Sequence, residues 1–207
     1  MVRAGRARTA EDSVSPTESV RERILNTARE LFYRDGARAV GVDTVVAQSG
    51  VAKTSLYRWF PSKDALIVAV LQEEWKDRWA GWDYTAAHAS PEPREQLRAQ
   101  FAGIARFVSS PKYRGCPFMN VTVEFADEQH PGREVAREVM LELRRRVRAL
   151  VDGLGVSQPE VLTEQLVLLV DGAFSSAQVL GKDGPQRHLV QAADALIDSQ
   201  LIAKPDA

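Results

Sequence analysis

Residues 41–71 read GVDTVVAQSGVAKTSLYRWFPSKDALIVAVL, and the spacing of apolar side chains along this stretch sets the architecture. Val42, Val45, Val46 and Ser49 fall on one face of a short helix, which Gly50 breaks. A second short helix runs from about Lys53 to Phe60, and Pro61 ends it because the residue before a proline is pushed out of the helical region. On that helix Leu56 and Phe60 share one side, whereas Thr54 and Arg58 share the opposite side, flanked by Lys53 and Tyr57. Two short helices meeting at a glycine turn, with a longer helix before them, form a helix-turn-helix pattern.

The outward face of the second short helix offers hydroxyls, a phenol and two cations. Arginine reads the O6 and N7 of guanine through two parallel hydrogen bonds, and threonine meets a thymine methyl group or a phosphate. Just beyond, the free N–H groups near Ser62 and the ammonium of Lys63 form an anion site at a helix start. Trp59 leans inward on the helical wheel, which points to packing at least as much as to a phosphate contact through its indole N–H.

Outward from this segment the helical pattern continues in both directions. Ser15-Pro16-Thr17-Glu18 reads as a capping box that opens a first helix carrying Val20, Ile24, Ala28, Leu31 and Phe32, closed by Asp35-Gly36. Residues 1–14, with Arg3, Arg6 and Arg8, read as a flexible basic arm, residues 15–61 as the nucleic-acid-binding head and residues 62–207 as a second domain. In that body, Ser62 caps a long helix bearing Leu66, Val70 and Trp75 and ending at Trp79 and Trp82. A helix with Leu97, Phe101, Ile104 and Val108 comes after a Ser90-Pro91 start, then a short segment from Pro117 to Phe125 and a charged helix from about Pro131 to Gly153. Ser157-Gln-Pro-Glu160 reads as another capping box, opening a helix to Leu180 that is apolar nearly all round, and a last helix spans about Pro185 to Ile202. Strand alternation is absent, so the expected class is all-α.

Charge is divided unevenly. Met1 to Lys63 holds eleven Lys and Arg against seven Asp and Glu, although the whole chain carries a formal charge of −1. A basic head on an acidic body implies that only the head approaches a polyanion. No stretch is long and apolar enough to span a membrane, and the expected location is the cytoplasm. Cys116 is the single cysteine, and His88, His130 and His188 lack ligand partners at helical spacing, so neither an intrachain disulfide nor a metal site is expected. The sequence has no nucleophile elbow, phosphate loop or dinucleotide fingerprint, which argues against catalysis and against a bound cofactor. Trp79, Trp82, Phe101, Cys116, Phe118, Phe125 and Phe174 are the candidates to line a pocket for a small molecule, the alternative for each being plain core.

From Val20 to Leu71 the sequence resembles the DNA-binding signature of the tetracycline-repressor (TetR) family, through Gly50-Val51 in the turn, Leu56-Tyr57 in the recognition helix and Ser62-Lys63 after it. The resemblance implies that Thr44, Lys53, Thr54, Ser55, Tyr57, Arg58 and Lys63 touch DNA, with Thr44, Tyr57 and Lys63 on phosphates and Lys53, Thr54 and Arg58 on bases. Two positions depart from the pattern: Gly41 stands where the family often has threonine, and Trp59 where histidine or tyrosine is usual. Further along, RGCPFMNVTVEFADEQHPG (114–132) and LLVDGAF (168–174) resemble segments of the effector-binding and dimerisation region in one branch of the family. The resemblance further implies a homodimer paired through Val161–Leu180 and Pro185–Ile202, a palindromic double-stranded DNA operator, a small-molecule effector and repression as the default. The alternatives are a helical ligand-binding protein or enzyme with an inert head, and a nonspecific architectural DNA binder.

Overall fold

The first turn of the first helix shows how local sequence sets a boundary. Ser19 Oγ accepts from the Glu22 backbone N–H at 3.2 Å while the Glu22 carboxylate accepts from the Ser19 N–H at 2.8 Å, a reciprocal capping box. Helix α1 therefore runs Val20–Asp35, with Ser19 as its cap rather than Ser15. The sequence holds two consecutive Ser-x-x-Glu frames, 15–18 and 19–22, and the one adjoining the apolar run caps the helix. The structure, a computed structural model, describes residues 19–202; the arginine arm and the Ser15 frame lie outside them.

Helix α2 is Val42–Ser49 and α3 is Lys53–Trp59. Gly50 caps α2 at φ 64°, in the left-handed region where a side chain is strained, and its N–H reaches Val46 O at 3.1 Å. That single residue turns the chain between the two helices. Gly41 caps the start of α2 through its backbone alone, with no side-chain acceptor. Ile24, Ala28 and Leu31 of α1, Val45 of α2 and Leu56 of α3 are buried together, so α2 and α3, too short to stand alone, share one apolar centre with α1.

Helix α4, Lys63–His88, has 26 residues and a length of about 39 Å at 1.5 Å per residue. It extends beyond the expected end at Trp82, and Ser62 Oγ caps it by accepting from Ala65 N–H. Leu66, Ile67 and Val70 near its start pack with the head, while Trp79 lies in the body, so one buried core is continuous through both parts. Helix α5 is Pro93–Val108, starting after Glu92 rather than at Ser90-Pro91; the Ser90 hydroxyl instead accepts from Glu92 N–H. Helix α6 is Pro117–Glu124 and α7 is Pro131–Asp152, the latter capped by His130 Nδ1, which accepts from Gly132 N–H at 3.1 Å.

Helix α8, Pro159–Leu180, lacks the expected side-chain cap at Ser157. The Ser157 hydroxyl turns to Gln200 Oε1 at 3.4 Å, and Gln158 occupies the cap position without a side-chain bond. Two single 3-10 turns, Gly181–Asp183 and Pro185–His188, come before α9, Leu189–Ile202. The last helix therefore begins at Leu189 rather than Pro185, and buried Gln186 ties the connection by donating to Gly181 O at 2.6 Å. Helices α4, α5, α7, α8 and α9 pack into the body, and α6 lies against α7 and α4. Val135, Val139, Leu143 and Val147 of α7 repeat at i+4 along the buried face, while Glu134, Arg137, Glu138, Arg144 and Arg145 of the same helix are exposed. No strand occurs among the described residues, and the fold is all-α.

Candidate nucleic-acid interface and internal cavity

Helix α3 is held by its inner face. Leu56 is fully buried and Phe60, the residue that ends the helix, is nearly so, whereas Lys53, Thr54, Tyr57 and Arg58 are exposed. Thr44 of α2 is exposed beside them, and Ser55 is partly buried. These residues form one polar surface, with a hydroxyl, a phenol and a guanidinium free of ion pairs among the described residues at Thr54, Tyr57 and Arg58. Trp59 is 51% exposed, so the inward lean expected from the wheel does not hold. The core under α3 is already filled by Leu56 and Phe60, and a third large side chain is left at the surface.

Two of the lysines are partly committed. Lys53 Nζ lies 2.7 Å from Asp43 Oδ1 of α2, and this bond holds its ammonium above the ordinary lysine range. Lys63 Nζ donates to Arg38 O at 2.9 Å, and burial pulls its pKa down. The sequence offered no sign of the second contact, because Arg38 and Lys63 are brought together by the path of the chain around α2 and α3.

Behind the head, the body encloses a cavity of about 370 Å³ between α4, α5, α7 and α8. Of the candidates read from the sequence, Trp79, Trp82 and Phe174 line it. Phe101 and Phe118 are instead buried in the core, Cys116 is buried with its sulfur 3.4 Å from Arg78 Nη2, and Phe125 stacks on His130 at 3.9 Å between ring centres. None of these four lines this cavity, and Phe118 borders a separate groove. The wall contains Arg78, Gln100, Ile104 and Phe107, which the sequence did not single out. A signal for Arg78 was present: it sits three residues after Trp75 and four before Trp82, a cation on an aromatic stripe.

Polar contacts join cavity and head. Arg29 of α1 pairs with Glu74 at 2.9 Å and Asp77 at 2.6 Å, both of which line the cavity. Pro117, at the start of α6, also lines it, and Glu124 at the other end of α6 accepts from Arg38 N–H at 2.7 Å. Tyr33 of α1 accepts from Arg114 N–H at 2.8 Å and donates to Gly115 O at 3.3 Å. His130 Nε2 lies 3.4 Å from Asp64 Oδ1 of α4 without making a hydrogen bond.

The face of α8 turned away from cavity-lining Val170 and Phe174 presents Val161, Leu168 and Val179 to the exterior, Leu168 being 68% and Val179 79% exposed. Gly172 and Ser175, both with small side chains, are exposed between them along this largely apolar stripe. Among the described residues no cluster of His, Cys, Asp and Glu could hold a metal ion, and no helix is long and apolar enough to cross a membrane.

A helix-turn-helix head with an exposed polar face, joined by a long helix to an all-helical body with a cavity, is the architecture of a class of transcriptional regulators. Residues 24–70 match bacterial regulatory proteins of the tetR family, and residues 93–193 match the tetracyclin repressor-like C-terminal domain. The crystal structure of SCO4454, a TetR-family transcriptional regulator from Streptomyces coelicolor, superposes with a TM-score of 0.83 at 28% identity, covering 87% of this chain and 95% of that one. The TetR-type protein sav143 of Streptomyces avermitilis gives 0.76 at 32% identity, over 88% and 98%. The HTH-type transcriptional activator FasR of Mycolicibacterium smegmatis is 32% identical over 93 residues, 45% of this chain and 42% of FasR, so that likeness spans less than half of either protein. The chain belongs to the TetR family of transcriptional regulators and carries its helix-turn-helix DNA-binding domain.

Proposed function

We propose that the protein is a cytoplasmic repressor that binds a palindromic operator as a homodimer and releases it when a small molecule fills the cavity. The observation that carries the reading is the exposed face of α3: Thr54, Tyr57 and Arg58 stand clear while Leu56 anchors the helix from behind. Arg58 and Thr54 meet base edges, with Lys53 beside them, while Tyr57, Thr44 and the start of α4 with Lys63 hold phosphates. Ser55, at the edge of the surface, adds a hydroxyl.

Dimerisation is supported by the α8 stripe. Leu168 and Val179 in water are unfavourable, and a second copy laid against α8 and α9 removes that surface and creates a twofold axis. Two recognition helices related by that axis enter successive major grooves about 34–36 Å apart.

An effector acts only by binding one conformation better than another. The cavity wall reaches the head through Glu74 and Asp77 to Arg29, and through α6 to Arg38. A ligand that shifts α4 or the Pro117 end of α6 changes the spacing of the two heads and so weakens DNA binding.

The reading is tested with duplexes tiling the DNA beside the protein's own gene, titrated with the full chain in the presence of excess random competitor. The expected result is one duplex retained with two chains bound, and transcription from its promoter lowered by the protein. Uniform binding of all duplexes would indicate an architectural DNA binder, and binding of none would leave the head inert. Raised transcription would make the protein an activator, as FasR is.

A further inference from the structure

The cavity's polar atoms are unequally used. Of its charged side chains, Glu74 and Asp77 are both engaged by Arg29, whereas Arg78 makes no ion pair among the described residues. The Arg78 guanidinium carbon lies 4.9 Å from the centre of the Phe118 ring and 5.2 Å from that of Phe174. Contact with the two rings orders the group and leaves its N–H fork to find acceptors. One N–H reaches Cys116 Sγ at 3.4 Å, a weak acceptor. Asp171, a carboxylate whose field reaches Arg78, lines a separate groove with Thr122 and Arg137 and forms no ion pair with it.

A second donor stands in the same wall. Trp79 is 6% exposed and its Nε1 has no hydrogen-bond partner. By contrast, the Gln100 amide nitrogen donates to Trp82 O at 2.9 Å, and the Thr85 hydroxyl donates to Gly81 O at 2.9 Å. The wall thus holds unpaired donors, while its carboxylates are taken. Around them the lining is apolar, from Trp82, Ile104, Phe107, Leu143 and Val170. A volume of about 370 Å³ is at the small end for ligand pockets.

We propose that the cavity takes a small organic carboxylate with an aromatic or branched apolar body, its acid group held by the Arg78 guanidinium and the body lying against Trp82 and Phe107. The inference rests on the cavity being the effector site. A carboxylate matches the guanidinium fork with two parallel charge-assisted hydrogen bonds, which an amide or an ammonium of the same shape does not. Two arginines beside two carboxylates leave the wall close to neutral, so selection comes from donor geometry rather than from a general positive field.

The test uses three matched probe sets, each an acid, its primary amide and the corresponding primary amine, built on phenyl, naphthyl and octyl bodies. Each probe is titrated into the full-length protein by calorimetry. The expected result is that at least one acid binds, about tenfold or more tighter than its amide and amine. Arg78→Met, which keeps apolar packing against the two rings, is expected to weaken the acid far more than the amide and so abolish the preference, and Arg78→Lys to restore part of it. An amide or amine that equals or exceeds its acid, a preference that survives in Arg78→Met, or no binding by any acid would overturn the proposal. The same probes added to protein bound to operator separate the two readings. An acid that binds through Arg78 without releasing DNA sinks the effector reading alone, and an amine or amide that releases DNA sinks the carboxylate proposal alone.

Discussion

At the scale of single residues, each exposed side chain of α3 has a distinct expected signature. Arg58→Ala is expected to cost about 1–3 kcal/mol on the operator and to relax preference at one base position, read by binding to operator variants. Equal losses on operator and random duplex would remove its base-reading role. Lys53 is different, because Asp43 shares its charge at 2.7 Å. Asp43→Asn releases that ammonium and is expected to strengthen binding to random DNA and steepen its salt dependence, measured by anisotropy across a salt series. In the turn, Gly50 holds φ 64° with nothing within 4 Å of where a Cβ would sit, so Gly50→Ala isolates backbone strain from crowding. The expected cost is about 1 kcal/mol in urea denaturation. The outward and inward faces of α3 were legible in the sequence, because Thr54 and Arg58, like Leu56 and Phe60, sit four residues apart on a helix whose ends are marked by Gly50 and Pro61. Trp59 was not, since a wheel places a residue by angle and takes no account of whether the core beneath has room.

At the scale of elements, α6 and α7 carry what the sequence left hidden. Eight residues of α6 lie between the cavity at Pro117 and the head at Glu124, and the clamp on Arg38 joins positions 86 residues apart. Such contacts arise from chain topology, and no local pattern announces them. The ends of helices were misread where several polar residues competed: Ser19 caps in place of Ser15, and Ser157 turns to Gln200. The cavity was half legible for the same reason. Aromatic spacing marks Trp79, Trp82 and Phe174, but whether Phe118 meets a void or a neighbour depends on how α6 docks. In α7, Glu142 is bonded to Arg145 and Arg146 at 2.6 Å each, and their guanidiniums depress its pKa to about 2. A carboxyl held below its unfolded value stabilises the fold above about pH 4.5 and loses that contribution as the pH falls toward 2. Glu142→Gln is therefore expected to flatten the decline in unfolding free energy between about pH 5 and about pH 3. Arg146 also lies 4.6 Å over the Trp79 ring, so this pairing buttresses the cavity wall.

At the scale of the whole molecule, the proposed function makes the chain one half of a twofold-symmetric assembly on DNA. The α8 stripe is the expected joint, and Leu168→Asp is expected to sediment as a monomer at micromolar concentration while keeping its helical content. A dimer in that variant would move the interface elsewhere. The sequence indicated this face only as an unusually apolar helix, because periodicity reports how many sides are buried and not by what. The proposed function as a repressor depends on sequence-specific recognition by paired recognition helices, and selection of bound sequences from random duplex DNA measures it. The expected product is an inverted repeat, its half-sites centred about 10–10.5 base pairs apart or a multiple of that, lost when Arg58 is replaced by alanine. Bound duplexes without a consensus, or with a single unpaired half-site, would contradict paired recognition.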